Sequence, residues 1–526
     1  MQPPSHRHAS RPFGAFELGM GTLASRLLGF LRDAAIAALL GGGWVTDAFL
    51  VAFRLPNFAR RLLAEGAFAY ALVPGYQAAK KHGKQSAAAF TRTVTLILSV
   101  FFLAICLAGI LFSREATLLL APGLAHSPQT LATAAIFLSI CLSYLPLAAG
   151  ASVMAATLMA EKSFRAPAYA PAIFNLTILG FAAIAGIFCG TGSALAPYAL
   201  CVGVVLAGGV QWAWLLRTLR SMEFSLAGPC CFRDANIKKT LCALPGSVSG
   251  AAGNQINILV AAVLASFMAE GSISALYFAE RLIEFPLGVI GASLGLATLA
   301  NISRPAREGA YSAEEQAVLA ANALRATRLA LFFALPAAVG IACLAFPITS
   351  LVFGHGEFGA EPLAQTSAAL MAYAVGLPAL AAAKPFLAIF GALRDAKTPW
   401  KSALIGLTVT TFLGGLSLAF GTVWVVAFSV SAAAWASCLY LGHIMTKRGL
   451  TPVPSIIWIL KTCVACAAMA GCVLWARSFC VTDAATVLLC IPLGILVYTV
   501  TAWALRLEES SLARSMALAG LRRKGH

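Results

Sequence analysis

The sequence predicts an all-α polytopic membrane protein: fourteen transmembrane helices, in two pseudo-symmetric six-helix lobes around a central cavity, with two extra C-terminal helices. Three observations carry that prediction. First, of 526 residues 60% are hydrophobic and 11% charged, with a mean hydropathy of +0.85. Soluble proteins are about 45–50% apolar and about 25% charged, so this chain has too little charge to cover a water-facing surface. A cytosolic enzyme, a disordered chain and a secreted disulfide scaffold are excluded. Second, the apolar residues fall into runs of the roughly 20 residues a helix needs to cross a bilayer core of about 30 Å. They lack the alternation of an outer-membrane barrel strand. Third, the two halves of the chain repeat.

In chain order the spans are 13–41, 44–78, 93–113, 130–159, 168–189, 194–216, 240–268, 272–300, 323–349, 364–391, 399–421, 423–445, 455–476 and 484–505. The first is no secretory signal, because Glu17, Arg26 and Arg32 interrupt it and no small-residue cleavage site precedes them. The second is overlong and interrupted at Leu55-Pro56-Asn57, which reads as a bent helix. Pro74, Pro146, Pro171, Pro245, Pro286, Pro336, Pro378 and Pro385 also lie in or beside spans, as hinges or static kinks. The organisation is a cytoplasmic tail (1–12), an N-lobe of spans one to six (13–220), a cytoplasmic linker (221–239) and a C-lobe of spans seven to twelve (240–446). Spans thirteen and fourteen (447–507) and a basic cytoplasmic tail (508–526) follow.

The basic residues set the orientation. With both termini cytoplasmic, the inner segments hold 28 of the 37 Lys and Arg, the outer loops hold Arg114 and Arg477, and seven lie within spans. That asymmetry follows the positive-inside rule. The net charge of +17 is therefore topological and is no nucleic-acid footprint. The 14 cysteines are scattered mostly through spans, as small hydrophobes usually are. Cys463 and Cys466 form a CxxC without a second pair, and His355 and His443 stand alone, so no metal or cofactor site is expected.

Residues 48–58 (AFLVAFRLPNF) align with 275–285 (ALYFAERLIEF) at an offset of 227, with Arg54 matched by Arg281. Tyr144 and Arg165 recur as Tyr373 and Arg394 at an offset of 229. Repeated lobes about a central site are a transporter pattern.

The intramembrane charges sharpen it. Arg26, Arg32, Arg54, Arg60, Arg61, Arg281 and Lys384 lie inside spans. At roughly 2.5–3.5 kcal/mol each, seven facing lipid cost on the order of 20 kcal/mol, beyond the ~5–15 kcal/mol of ordinary folding stability. They are expected to face a hydrated or protein-lined interior. Against them stand Asp33, Asp47, Glu65, Glu280 and Glu284, leaving this set with two excess positive charges. Asp47, Arg54 and Arg61 recur every seven residues and Glu65 follows four later, a spacing that places them on one helix face. Arg26 and Asp33 share the same spacing in span one, while span seven offers Asn254, Gln255 and Asn257 instead. Some pairs could serve only to fix helix packing, and Arg60 and Arg61 could snorkel to the interface. Arginine forks suit phosphate oxygens, and a pyrophosphate matches the excess charge.

The stretch Ser25-Arg26-Leu27-Leu28-Gly29-Phe30-Leu31-Arg32-Asp33, with Thr46-Asp47-Ala48-Phe49 and Phe53-Arg54-Leu55-Pro56-Asn57, resembles the MurJ (MviN) family of lipid II flippases. So do Arg60-Arg61, Ala64-Glu65-Gly66-Ala67-Phe68, Val73-Pro74 and the block Tyr277–Pro286. Ala168-Tyr169-Ala170-Pro171 followed by Asn175, and Lys397-Thr398-Pro399, are similar too. The resemblance implies a fourteen-helix, two-lobe fold of the multidrug/oligosaccharidyl-lipid/polysaccharide exporter superfamily in the bacterial cytoplasmic (inner) membrane. It implies translocation of lipid II, the undecaprenyl-pyrophosphate-linked peptidoglycan precursor, from the cytoplasmic to the periplasmic leaflet, with spans thirteen and fourteen forming a groove for the lipid tail. Family members depend on arginines that match Arg26, Arg32, Arg60 and Arg281, and Asp47, Asn57 and Glu284 match other required positions. Some members bind sodium through acidic and Asn side chains on spans seven, eleven and twelve, whereas 399–445 here contains no Asp, Glu or Asn.

The expected substrate-binding set is Ser25, Arg26, Arg32, Arg54, Asn57, Arg60, Arg281 and Lys384, with Asp33, Asp47, Glu65, Glu284 and Pro56 orienting or gating. Expected partners are lipid II, membrane lipids and peptidoglycan-synthesis proteins, with no nucleic acid. A flippase for another undecaprenyl-pyrophosphate-linked glycan shares the pyrophosphate chemistry, and a multidrug antiporter of the same superfamily would favour a net-acidic, aromatic pocket. No catalytic cluster is evident.

Overall fold

The computed structural model describes residues 13–64, 67–224, 227–297, 313–393 and 395–510, and among these it contains helices and no strands. The helices are α1 (Phe13–Leu40), α2 (Trp44–Ala64), α3 (Ala67–Lys80), α4 (Lys84–Leu111), α5 (Ser113–Leu120), α6 (Pro128–Leu142), α7 (Tyr144–Ala160), α8 (Arg165–Phe188), α9 (Ala196–Arg220) and α10 (Ala235–Ala265). They continue as α11 (Ser272–Ala297), α12 (Ala313–Phe353), α13 (Ala360–Ala374), α14 (Leu377–Ala392), α15 (Lys397–Gly415), α16 (Ser417–Phe420), α17 (Val423–Lys447), α18 (Ile456–Arg477) and α19 (Asp483–Ala504). Among the described residues nine helices are long and apolar enough to cross a membrane, or ten when α13 and α14, bent by 46°, count as one span. Their outward residues are apolar: α4 exposes Leu96, Val100, Phe101, Leu103, Leu107 and Leu111, a face suited to hydrocarbon rather than water.

The second span differs from expectation. Helix α2 runs through Pro56, and a separate helix begins at Ala67. Glu65 and Arg394 lie outside the described residues, as do the side chains of Asn254 and Gln255.

The chain divides into two compact units. The first comprises Met1–Leu39, Val51–Thr117 and Ala132–Ala252; the second comprises Leu40–Leu50, Leu118–Leu131 and Gly253–His526. In the first, Ala151, Met154 and Leu158 of α7 pack on Ala166 and Ala170 of α8 and on Leu215 and Leu219 of α9. Small residues at these contacts let apolar helices approach closely, the usual way helices associate where water supplies no drive between them. At one end of this unit Glu161 accepts from Tyr76 Oη at 2.6 Å and from Lys80 Nζ at 2.6 and 2.7 Å. The segment after α9 is tied to α4: Arg92 donates to the carbonyls of Ala227 and Pro229, and Cys231 N donates to Thr93 Oγ1 at 2.9 Å.

In the second unit Phe278 of α11 packs against Phe353 and Phe358. Another core gathers Ala323, Phe386, Phe390, Leu441 and Met445. Asp395 accepts from Lys397 N, Thr398 N and Thr398 Oγ1 at the start of α15, and from Arg448 Nη2 at 2.6 Å.

The α18–α19 hairpin docks on α12, where Phe332 and Leu344 meet Trp458, Met469, Val473 and Tyr498. The prolines of α12 explain how. A proline lacks the N–H that would bond the carbonyl four residues back, so Pro336 frees Phe332 O and Pro347 frees Cys343 O. Tyr498 Oη of α19 donates to Phe332 O at 2.7 Å, and Arg477 Nη1 of α18 donates to Cys343 O at 3.1 Å. Leu344, beside the second carbonyl, has left helical geometry at φ −115°, ψ 17°.

The repeat is visible locally. Tyr144 opens α7 immediately after the break from α6, and Tyr373 lies just before the break between α13 and α14; both are buried.

Candidate functional site

Three clusters hold the intramembrane charges. In the first unit, Arg32 and Asp33 of α1 are 3% and 1% exposed. Arg32 Nε and Nη2 donate to Asp33 Oδ1 at 2.9 and 2.6 Å. Arg32 Nη1 donates to Asn175 Oδ1 of α8 at 2.9 Å, and its guanidinium lies 5.1 Å from the Phe53 ring centre. The Asn175 amide turns its other end to α1, donating from Nδ2 to Ser25 O at 2.8 Å and to Ser25 Oγ at 3.3 Å. Pairing with a carboxylate, an amide and an aromatic face compensates a guanidinium for burial.

Arg60 of α2 belongs to the same unit. Its Nη2 and Nε donate to Asn57 Oδ1, three residues back, at 3.1 and 3.4 Å, and its guanidinium sits 5.6 Å from the Phe174 ring centre. Phe174 is fully buried and rests on Tyr144, with ring centres 5.1 Å apart. Arg54 and Arg61 are half-buried on α2. Arg26 is exposed on the face of α1 that also exposes Leu23 and Leu27. Asp33 therefore pairs with its chain neighbour Arg32 and not with Arg26, seven residues away on the expected shared face.

The second cluster lies in the second unit, on α11 and α14. Arg281 Nη1 donates to Glu284 Oε2 at 2.5 Å, and its guanidinium stacks 4.6 Å from the ring centre of Tyr277, one turn earlier. Lys384 Nζ donates to Leu287 O at 2.8 Å, and a Cβ at Gly291 would stand 3.0 Å from that nitrogen.

The third cluster, also in the second unit, is built on Asp47. Spacing placed it beside Arg54 and Arg61 as an arginine-orienting carboxylate. In the structure it is 4% exposed and caps the N-terminus of α11, with Oδ2 accepting from Gly271 N at 2.7 Å and Oδ1 from Ser274 N at 2.8 Å. A helix start presents unpaired N–H groups and a positive dipole end, which a carboxylate satisfies well. The surrounding backbone is close-packed: a Cβ at Gly41 (φ +75°) would meet Glu357 O at 2.7 Å, and one at Gly271 (φ +85°) would meet Gly42 O at 2.2 Å. Ser274 Oγ donates to Gly42 O, and Gly123 N donates to Ser266 Oγ.

Sequence reasoning named Asn175 only within the resemblance, without its partners, and missed Phe174, Gly271 and Ser274. Asn175 left a signal, as the one amide in the uncharged run 166–188. The backbone N–H groups at 271 and 274 leave none. Among the described residues no His, Cys, Asp or Glu side chains gather in a set able to hold a metal ion.

A family model described as "Lipid II flippase MurJ" matches residues 36–493. The chain is 33% identical over 459 residues to a "Probable lipid II flippase MurJ" of Rhizobium meliloti, covering 86% of this chain and 84% of that protein. It is 30% identical over 454 residues to the "Lipid II flippase MurJ" of Burkholderia cenocepacia, covering 83% and 84%. A solved structure described as "Lipid II flippase MurJ, inward closed conformation" is similar with a TM-score of 0.79 at 24% identity, covering 92% of this chain and 97% of that one. An inward-facing multidrug resistance MATE transporter of the MOP superfamily is similar with a TM-score of 0.61 at 13% identity, covering 82% and 96%. At these identities both structures speak to the fold.

Proposed function

Because the chain belongs to the MurJ family of lipid II flippases, we propose that it carries lipid II from the cytoplasmic to the periplasmic leaflet by alternating access, its arginines holding the pyrophosphate. The protein is a multi-pass membrane transporter of that family and not an enzyme. Arg32 and Arg60 of the first unit and Arg281 of the second bind phosphate oxygens, with Asp33, Asn57 and Glu284 setting their orientation. The observation that carries this reading is the pair of guanidiniums, Arg32 of α1 and Arg60 of α2, each held by a side chain of the apolar helix α8. Such groups are costly in a membrane unless they serve a ligand or a hydrated path, and their planar forks match phosphate oxygens.

The prenyl tail stays in hydrocarbon, and the α18–α19 hairpin is its proposed groove. Both termini lie in the cytoplasm, so an inside-negative potential acts on two excess positive charges at about 2.3 kcal/mol per charge per 100 mV. That supplies a few kcal/mol toward returning the emptied cationic site inward and ejecting the anion outward. Enzymes that make the lipid on one face and consume it on the other are the implied protein partners.

The test is binding of purified protein to lipid II, undecaprenyl pyrophosphate and an uncharged prenyl lipid, repeated with Arg32→Ala and Arg281→Ala. Preference for the two pyrophosphates, reduced at least tenfold in each variant, is expected from loss of a charge-assisted contact. Equal binding of all three lipids would sink the assignment.

A further inference from the structure

After Arg165, helix α8 carries no charged residue, yet two successive side chains on it each hold an arginine. Asn175 Oδ1 accepts from Arg32 Nη1 at 2.9 Å, and the Phe174 ring lies 5.6 Å from the Arg60 guanidinium. Both side chains are buried, and both are braced: Phe174 rests on Tyr144, and Asn175 is anchored to Ser25 O and Oγ. The Asn175 amide reaches α1 beside Gly29, where an added Cβ would stand 3.1 Å from Nδ2. At the offset of 229 that relates Tyr144 to Tyr373, the second half has Ala403-Leu404, which can neither accept from a guanidinium nor stack on one. The device belongs to one half only.

We infer that Phe174 and Asn175 are positioning residues that fix the spacing of the Arg32 and Arg60 guanidiniums and so select a two-phosphate headgroup over a single phosphate. This rests on the reading that those arginines bind the pyrophosphate. Each guanidinium is a planar fork matched to a pair of oxygens. Two forks held at one separation fit two linked phosphoryl groups, whereas a monophosphate fills one. Arginine side chains carry much rotamer entropy, and immobilising them beforehand removes that cost from binding. Asn175 and Phe174 touch the arginines and are themselves uncharged, so their loss relaxes geometry without removing charge.

The full chain in nanodiscs is titrated with undecaprenyl pyrophosphate and undecaprenyl phosphate, and the ratio of the two affinities is the readout. Asn175→Leu removes the amide at similar volume, Phe174→Leu removes the ring, and Phe174→Tyr keeps it. Each Leu variant is expected to lower the ratio by about tenfold, the scale of one charge-assisted contact, while Phe174→Tyr retains it. If Asn175→Leu does not fold, the two Phe174 variants carry the test. An unchanged ratio in the Leu variants, or an equal loss for both lipids, overturns the positioning role. Arg32→Ala and Arg60→Ala separate the two failures: if they weaken pyrophosphate binding while the Leu variants keep the ratio, only the positioning role falls. If neither arginine variant weakens pyrophosphate binding, the underlying reading falls as well.

Discussion

Both carboxylate oxygens of Asp47 are engaged by backbone N–H groups at the start of α11, so its removal leaves two buried donors unmet. Asp47→Ala is expected to cost about 1–3 kcal/mol, the range of a lost cap and an unsatisfied buried group, seen as a lower unfolding midpoint in detergent. Asp47→Asn, which keeps one acceptor oxygen, should lose less; equal midpoints for all three proteins would refute the capping role. Asp395 gives a pH-dependent counterpart. Burial works to raise its pKa, but hydrogen bonds from Thr398 and Arg448 and the Arg448 charge outweigh that and hold it at about 2, below the ordinary 3.8. A depressed folded value means the stability it lends is present above about pH 4 and is lost as the pH falls toward about 2. The gap in midpoint between the native protein and Asp395→Asn should therefore narrow between about pH 5 and about pH 2.5; a constant gap would contradict it. At this scale the charged residues of the site could be found in the sequence, because a guanidinium in an apolar run is conspicuous. Their partners could not. Heptad spacing puts Asp47 on a face with Arg54 and Asp33 on a face with Arg26, but spacing does not tell which donor tertiary packing brings to a carboxylate: here a helix start for Asp47 and the adjacent Arg32 for Asp33.

Among the elements, α12 shows what prolines do in a membrane helix. The sequence marks Pro336 as a hinge or a kink, and the structure adds Pro347 in the same helix. The structure adds that each freed carbonyl is taken by a side chain of the C-terminal hairpin, Tyr498 and Arg477. Such a carbonyl, buried and unpaired, costs more than an ordinary hydrogen bond contributes. Tyr498→Phe should thus destabilise by about 1 kcal/mol, and in a Pro336→Ala background, where residue 336 regains its N–H, that cost should nearly vanish. A double-mutant cycle on unfolding in detergent measures the coupling, and additivity would rule out the pairing. Arg477, an apparent exception to the charge asymmetry of the loops, has a local task on the same helix. The helical spans were legible because twenty-residue apolar runs admit no other reading. The path of α2 through Pro56 was not, since proline signals a break without fixing its place.

For the whole molecule, the charge asymmetry of the loops makes a prediction that a native side chain can test. Cys231 is exposed in the segment after α9, which the orientation puts in the cytoplasm. In a variant retaining only Cys231, a membrane-impermeant maleimide should label permeabilised but not intact spheroplasts; labelling of intact ones would invert the topology. The repeat of Arg54 as Arg281 and Tyr144 as Tyr373 predicts two lobes, and the structure divides into two compact units. What the repeat did not convey is the membership of the segments Leu40–Leu50 and Leu118–Leu131, which belong to the second unit although they lie in the first half of the chain. Nothing in their composition marks them, because their contacts are made by glycine backbones and a carboxylate that meet partners more than 140 residues later.

That last feature bears on how the protein is made. A ribosome delivers the chain from its N-terminus at about 5–20 residues per second, so Asp47 and Gly41 enter the membrane well before their partners at 271–274 and 357 have been synthesised. Through that interval a carboxylate and a glycine-rich turn, destined for burial, must stay in contact with water or with an attendant insertase. The long sequence separation makes this seam a late and slow contact to form. A polypeptide truncated before residue 270 keeps the first unit's residues but cannot close the seam, and is a natural client for membrane quality control.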